Sequence, residues 1–521
     1  MWTKYILFLG IFCLGNSYTI AQNEAVTCDL LHLYQLTLAN SPTVQRQEIR
    51  NQIVKTGKQT ARSQFDYQLV SDVSLSRSSY NFYEADPLRA LIGNTMNTNN
   101  FSLSTGVQRT FRTGTTANVG LQYQRVSDSN PINGFSETIG AFIPDNTTTT
   151  SLSITQPLLR GRGRDIVTAN EEVAELNLAQ QQQNAHFVIS GQVLTTVNAY
   201  WQYFSATESL KIYQDNEERV MAVLDMTKEL VNADKKPAGD LTQIQADVLD
   251  KERQTILAAQ NVYSAQQNLG RSIGLETSES QEIGLPLSNF PRLDEGQEVP
   301  SLESLLTLAR AHRADLKALE KSLEVQQLQV RVAENNIKQQ LNLRAFSSYG
   351  GAAMGNGVDR FLTALGNYEG RNYQIGVGME YIFPINNNQA EAALLNAQLT
   401  YADQETYQKD QIRNIELNVS IAYNNYLNSI DALKKSSESL AYYEEVFTNE
   451  QYKFQNGLTT LLNLILLQER LTFAQLDYIK SQQQYAMAIS NLRYETGTLY
   501  PSDAPVGFDE EVFYTLPGTK Y

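Results

Sequence analysis

The sequence predicts an α+β membrane protein built as a tandem internal repeat. Long coiled-coil helices are joined to amphipathic strands that would cross a bilayer as a closed β-barrel. Three observations carry this. The chain opens on a secretory leader. Its helix-compatible stretches are far longer than a globular core uses. Its strand-compatible stretches alternate apolar and polar residues over about ten positions, the pattern of a wall with lipid on one side and water on the other.

The leader combines Lys4, an apolar run from Tyr5 to Leu14, and Thr19-Ile20-Ala21, with small residues at the −3 and −1 positions of a cleavage site. Cleavage is predicted after Ala21, making 1–21 a signal peptide. No later stretch approaches the ~20 apolar residues of a membrane helix, so a membrane crossing would need closed strands. The chain has 521 residues, 19% of them charged, and a net charge of −15. That charge argues against a nucleic-acid partner, because phosphate binding needs a basic face. Cys13 would leave with the leader, so Cys28 forms no internal disulfide. Ala25-Val26-Thr27 poorly matches the residues that precede a lipidated cysteine, and Cys28 is expected to be an exposed or half-buried thiol.

The repeat appears at an offset of 272. Leu30, Leu33, Leu36, Ala39, Val44, Ala61, Phe65 and Leu69 fall on Leu302, Leu305, Leu308, Ala311, Leu316, Ala333, Ile337 and Leu341. Further on, Pro157 answers Pro384, and Ala199-Tyr200 answers Ala422-Tyr423. The order helix, strands, long helix, helix thus recurs in 30–283 and 301–498. The segment 284–300 reads as a linker, with three prolines, and 499–521 as a C-terminal tail.

A helix is predicted over 389–455, where Ile412, Ile415, Val419, Ala422, Tyr426, Ile430, Leu433, Leu440, Phe447 and Phe454 form a heptad seam. Its counterpart over 165–233 carries Val193, Val197, Tyr200 and Phe204 on one stripe, and Gly191 need not break it. Each is about 100 Å long at 1.5 Å per residue. The remaining helices, 30–66, 240–273, 302–340 and 458–495, are half as long, and two end to end would match one long helix. A tunnel or a rod uses such lengths. The 302–340 helix carries its own seam of Leu316, Leu319, Leu323, Val330, Ala333 and Ile337.

Strands are predicted at 67–78, 99–111, 114–126 and 149–157 in the first half, and at 341–350 and 372–384 in the second. Ala117, Val119, Leu121 and Tyr123 alternate with Asn118, Gly120, Gln122 and Gln124. Ile375, Val377, Met379, Tyr381 and Phe383 alternate with Gln374, Gly376, Gly378 and Glu380. Phe101, Leu103 and Val107 do the same against Ser102, Ser104, Gly106 and Gln108. The middle break of the first half is short, and the flanking connections 79–98 and 127–148 are long and polar, the layout of outer-membrane barrels.

From about Leu30 to Thr498 this pattern resembles the TolC-like outer-membrane efflux proteins. The motifs are Ser153-Ile154-Thr155-Gln156-Pro157-Leu158-Leu159-Arg160-Gly161 and Tyr381-Ile382-Phe383-Pro384-Ile385, each entering a long helix. Phe454-Gln455-Asn456-Gly457-Leu458-Thr459-Thr460-Leu461-Leu462-Asn463 and Lys236-Pro237-Ala238-Gly239-Asp240-Leu241 look like the family's helix-hairpin tips. The resemblance implies a trimeric transmembrane β-barrel continued by a long α-helical coiled-coil tunnel. It implies a homotrimer in the outer membrane of a Gram-negative-type bacterium, in contact with its lipid and extending into the periplasm. It also implies a periplasmic adaptor and an inner-membrane pump as partners, with passive conduction of drugs, metal ions or proteins to the exterior.

The tip residues Lys236, Pro237, Gly239, Asp240, Phe454, Gly457, Leu458, Thr459 and Asn463 are the candidate periplasmic entrance. Gly457 suits a positive φ, Thr459 or Thr460 a helix N-cap, Pro237 a stop for the long helix, and Asp240 an N-cap. Two aspartates that follow the tip glycine in the best-known members are Asn463 and Leu466 here, an arginine is Thr459, and a tyrosine is Phe454. The family's usual plan is two strands per repeat. The extra pair here either joins the barrel wall or projects above the membrane.

No P-loop, dinucleotide fingerprint or HExxH is present. Gly350–Gly357 is expected to be a flexible outer loop. His32, His186 and His312 lack metal-ligand spacing, and Asp240, Asp247, Asp250 and Glu252 read as a solvated helix face, with Asp247 and Asp250 able to face a lumen. No catalytic, cofactor or metal site is therefore expected. The rival reading is a periplasmic coiled-coil scaffold without a pore.

Overall fold

The computed structural model describes residues 27–87, 94–128, 144–293, 299–366, 372–500 and 510–517. The expected leader and cleavage site and parts of the expected linker and tail lie outside these residues. In chain order the elements begin with α1 (Leu30–Asn40), α2 (Pro42–Ser63), β1 (Gln68–Asn81), β2 (Thr95–Thr110), β3 (Thr116–Asp128) and β4 (Asp145–Pro157). The long α3 (Ala169–Asn232) and α4 (Ala238–Ile273) follow, then α5 (Leu302–His312) and α6 (Ala314–Asn336). The chain continues with β5 (Gln340–Met354), α7 (Asp359–Gly366), β6 (Asn372–Ile382), the long α8 (Asn388–Gln455) and α9 (Leu461–Glu495). Single helical turns stand at Arg164–Val167, Thr277–Ser280 and Glu510–Phe513. Among the described residues no helix is long and apolar enough to cross a membrane.

The chain divides into two compact units, each drawing on both halves of the sequence. One holds the strands. They form a single antiparallel sheet in the order β1-β2-β3-β4-β5-β6. Residues paired across a ladder share a face, so the register fixes both surfaces. One row reads Leu69, Val107, Val119, Leu152, Ser347, Ile375. The row beside it on the opposite face reads Gln68, Gln108, Asn118, Ser153, Phe346, Gly376. The first surface is rich in Leu, Val, Ile and aromatics, the second in Ser, Thr, Gln and Gly. The apolar surface is bare: Leu75 is 80% exposed and Ile375 75%. Only at one end does α7 lie on it, where Phe361 meets Tyr123 edge-on at 5.3 Å and its carbonyl accepts the Thr148 hydroxyl at 3.3 Å.

One expectation changes here. Gly350–Gly357 is not all loop, because β5 continues to Met354. Strand pairing is close at Gly350, where a Cβ would meet the Thr148 carbonyl oxygen at 2.4 Å, so glycine lets the ladder continue. The turn between β2 and β3 is anchored. Gly114 takes φ +88° in it. Arg112 forms a two-pronged bond to Glu171 at the start of α3 (2.9 and 2.8 Å) and lies over the Phe65 ring at 4.7 Å. The hydrogen bond from Arg112 holds the Glu171 carboxyl below the usual carboxylate range.

The other unit is helical. Its core collects Cys28, Leu30, Leu33, Tyr200, Trp201, Leu269, Ile273 and Phe513, each 1% exposed or less. Cys28 is therefore neither exposed nor half-buried, and burial pushes its thiol up to about 12. The linker's first part is built into this core. Leu287 N–H bonds the Cys28 carbonyl at 3.1 Å, and Phe290 stacks on Trp201 at 5.6 Å. The tail docks as well: the Arg493 guanidinium donates to the Thr515 carbonyl at 2.6 Å and to the Leu516 carbonyl at 3.2 Å.

The predicted 30–66 helix breaks at Ser41 and the 302–340 helix at Arg313, positions 272 apart. Ser41 takes ψ 124°, as a residue before proline prefers. Arg313 takes ψ 120° without a proline. Its side chain donates to the Glu495 carboxylate at 2.6 Å and to the Glu495 carbonyl at 3.2 Å. Each break is met by a glycine of positive φ. A Cβ on Gly274 would meet the Asn40 carbonyl oxygen at 2.8 Å, and one on Gly497 would meet the Arg313 nitrogen at 2.8 Å. The long helices follow expectation. Ile415, Val419, Ala422, Tyr426, Leu433, Phe447 and Phe454 are buried along α8, as are Val193, Val197, Tyr200 and Phe204 along α3.

Candidate functional site at the helix-hairpin tips

Both predicted tips fall in the helical unit, and the structure brings them together. In the first, α3 ends at Asn232, and Lys235 N–H returns to the Leu230 carbonyl at 2.9 Å. Asp234 supplies the left-handed residue at φ +53°, a conformation Asp tolerates better than most side chains. In the second, α8 ends at Gln455, Gly457 has φ +71°, and Leu458 N–H returns to the Lys453 carbonyl at 2.9 Å. These are the same helix-ending turn, 223 residues apart.

The helix starts differ from expectation in one place. Pro237 does not stop α3, which has already ended; it is the N-cap of α4, with φ −66° and ψ 145°. Asp240 is therefore not the cap. It lies in the first turn of α4, where its charge still suits the helix end. Thr460 caps α9, its hydroxyl oxygen accepting the Asn463 N–H at 3.3 Å.

Lys236 joins the two tips. Its ammonium donates to the Thr459 carbonyl at 2.9 Å and sits 5.0 Å from the centre of the Phe454 ring. Phe454 is fully buried among Val220, Val223, Ile244, Phe447 and Leu464. The Thr459 hydroxyl bonds the Glu450 carboxylate and also accepts from the Asn463 side-chain amide at 3.4 Å. That hydroxyl, helped by Lys453, holds the Glu450 carboxyl below its usual range. Pro237, Gly239, Gly457, Leu458 and Asn463 are exposed, Leu458 at 74%.

Behind the tips lies a charged cluster absent from the candidate residues. Lys251 on α4 is 3% exposed and reaches Glu469 of α9 at 3.0 Å and Asp247 at 3.3 Å. Burial opposes its charge, but the two carboxylates outweigh that and raise its pKa. Burial raises Asp247, with Lys251 pulling the other way. Asp247 is thus not part of a solvated face, whereas Asp250 pairs with exposed Arg253 at 2.7 Å. His186 packs at a tilt against Tyr500, ring centres 4.4 Å apart. Among the described residues no group of three or more His, Cys, Asp or Glu is arranged to hold a metal ion.

A sheet with a bare apolar face and a polar one stands in a chain whose two heptad-patterned helices run 64 and 68 residues, the combination of parts found in the fold of outer-membrane channels. Residues 305–498 match the family described as outer membrane efflux protein. Over those residues the chain is similar to this family. Among solved structures, it resembles the outer-membrane channel OprN at 13% identity, covering 91% of both chains with a TM-score of 0.65. It resembles the Campylobacter jejuni CmeC outer membrane channel at 12% identity, covering 91% of this chain and 87% of that one, with a TM-score of 0.64. For the outer membrane protein VceC from Vibrio cholerae the values are 15% identity, 90% and 96% coverage, and a TM-score of 0.63. Comparison with curated proteins finds no significant match.

Proposed function

We propose that this protein is an outer-membrane channel, three copies of which assemble into one conduit. It would receive cargo from a periplasmic adaptor and an inner-membrane pump and release it passively outside. The observation that supports this best is the sheet. Among the described residues its apolar face has no covering layer over most of its area, its other face is polar, and both edge strands, β1 and β6, have unpaired backbone groups. Lipid accommodates such a face only if the edges are closed against each other or against further copies. The hairpin tips form the periplasmic entrance, where Asn463 and Leu458 would each be repeated three times around the axis. Asn463 then contributes a neutral amide ring where related channels carry carboxylates. The protein does no chemistry of its own; the energy comes from the pump.

The test is conductance. Protein extracted from the outer-membrane fraction and added to a planar bilayer should give discrete steps, linear in voltage. Absence of steps from protein that fractionates as soluble periplasmic material would reject the conduit and favour the coiled-coil scaffold.

A further inference from the structure

The two repeats do not contribute equally to the sheet. Ahead of the strands they align at an offset of 272, and in the helices after them at 223. Between these registers the first half carries 49 more residues. At the first offset β5 matches β1; at the second, β6 matches β4. The surplus is therefore the β2–β3 hairpin.

We infer that this hairpin is part of the transmembrane wall, so that three chains close an eighteen-stranded barrel with β6 of each chain meeting β1 of the next. The inference rests on the trimeric reading above. Three features carry it. The hairpin is not attached at its ends alone: β1 pairs with β2 from Gln68 to Asn81, and β3 with β4 from Thr116 to Val126. A projecting hairpin would leave β1 to pair with β4. The apolar and polar rows run through β2 and β3 without a change of face. Lastly, the turn between β2 and β3 is pinned to the base of the sheet by Arg112 on Glu171 and Phe65, so it does not rise from the opposite end.

Barrel diameter grows roughly linearly with strand number, so this wall would be about one and a half times as wide as a twelve-stranded one. An eighteen-stranded wall encloses an aqueous channel. The outer opening would then set no size limit on cargo, and selection would fall to the periplasmic tips.

Neighbouring residues on β3 test this. Asn118→Cys and Val119→Cys point to opposite faces. Each full-length variant, purified as the trimer and placed in liposomes, is treated with a water-soluble, membrane-impermeant maleimide. Wild type, whose one cysteine among the described residues is buried Cys28, serves as the blank. The wall predicts labelling of Asn118→Cys at least about ten-fold faster than Val119→Cys, because one face is wet and the other meets lipid. Equal rates, whether fast or absent, would overturn the inference. Strands counted in a cross-section of the wild-type trimer by electron cryomicroscopy give an independent readout: eighteen supports it and twelve overturns it. A protein that never forms a trimer would instead sink the assembly beneath it.

Discussion

The two helical hairpins share one register and differ in what covers them. From Asp234 against Gly457 to Gly274 against Gly497, a shift of 223 places equivalent turns on each other. The same shift places Trp201 on Asn424 and Lys251 on Ala474. Trp201 is fully buried, stacked on Phe290 of the linker and met edge-on by Tyr514 of the tail at 5.9 Å. Asn424 is exposed. The linker and tail therefore cover the first hairpin's aromatic stripe, while the second hairpin's matching position remains polar. Duplicated backbones keep their turns because turns are set locally, and they diverge where outside segments dock.

This difference is sharpest at Trp201. Replacing it with Ala should cost roughly 3–5 kcal/mol, whereas Asn424→Ala should stay within about 0.5 kcal/mol. Thermal unfolding of the detergent-solubilised protein checks both. Equal losses would mean that the tail and linker do not hold the first hairpin. At the next level, Lys251→Ala reproduces the residue of the second hairpin but leaves Asp247 half-buried without its cation, at a cost of about 1–3 kcal/mol. If Asp247→Asn in the same chain recovers much of the loss, the unpaired carboxylate is the cause.

The tips should respond in opposite directions. Gly457→Ala forces a Cβ into a left-handed turn and should cost about 1 kcal/mol. Asp234→Gly relieves the same constraint and should gain a few tenths of a kcal/mol, the relief being offset by greater freedom in the unfolded chain. Limited proteolysis at each tip separates the two. The smallest effect is with pH. The Glu450 carboxyl is held below its usual range, so its bond to Thr459 is fully present above the ordinary carboxylate value of about 4.3. The contribution is lost as pH falls through the depressed value. Amide exchange at Leu458–Leu461, corrected for intrinsic rates, should stay flat down to that range and rise only below it. A rise near neutral pH would point to a different group.

Much of this was legible in the sequence because it is periodic. Heptads exposed the buried seam of α8, and alternation exposed β2, β3 and β6, since a two-residue period assigns each side chain to a face. The break at Ser41 had a signal in Pro42. Its twin at Arg313 had none: no proline follows, and the partner its side chain meets there, Glu495, is 182 residues away. Lys251 went unremarked among the acids of its helix, since nothing local reveals that Glu469 reaches it from another helix. Asp234 went unnoticed because a left-handed aspartate looks like any surface acid, whereas Gly457 announces itself. The docking of Phe290 and Phe513 was hidden in segments whose composition suggested linker and tail.

The most direct test of the assembly is the native mass of the protein after gentle detergent extraction from the outer-membrane fraction. The account predicts three copies in that fraction. A single copy or a pair in the soluble periplasmic fraction would contradict it and leave a coiled-coil scaffold as the better description.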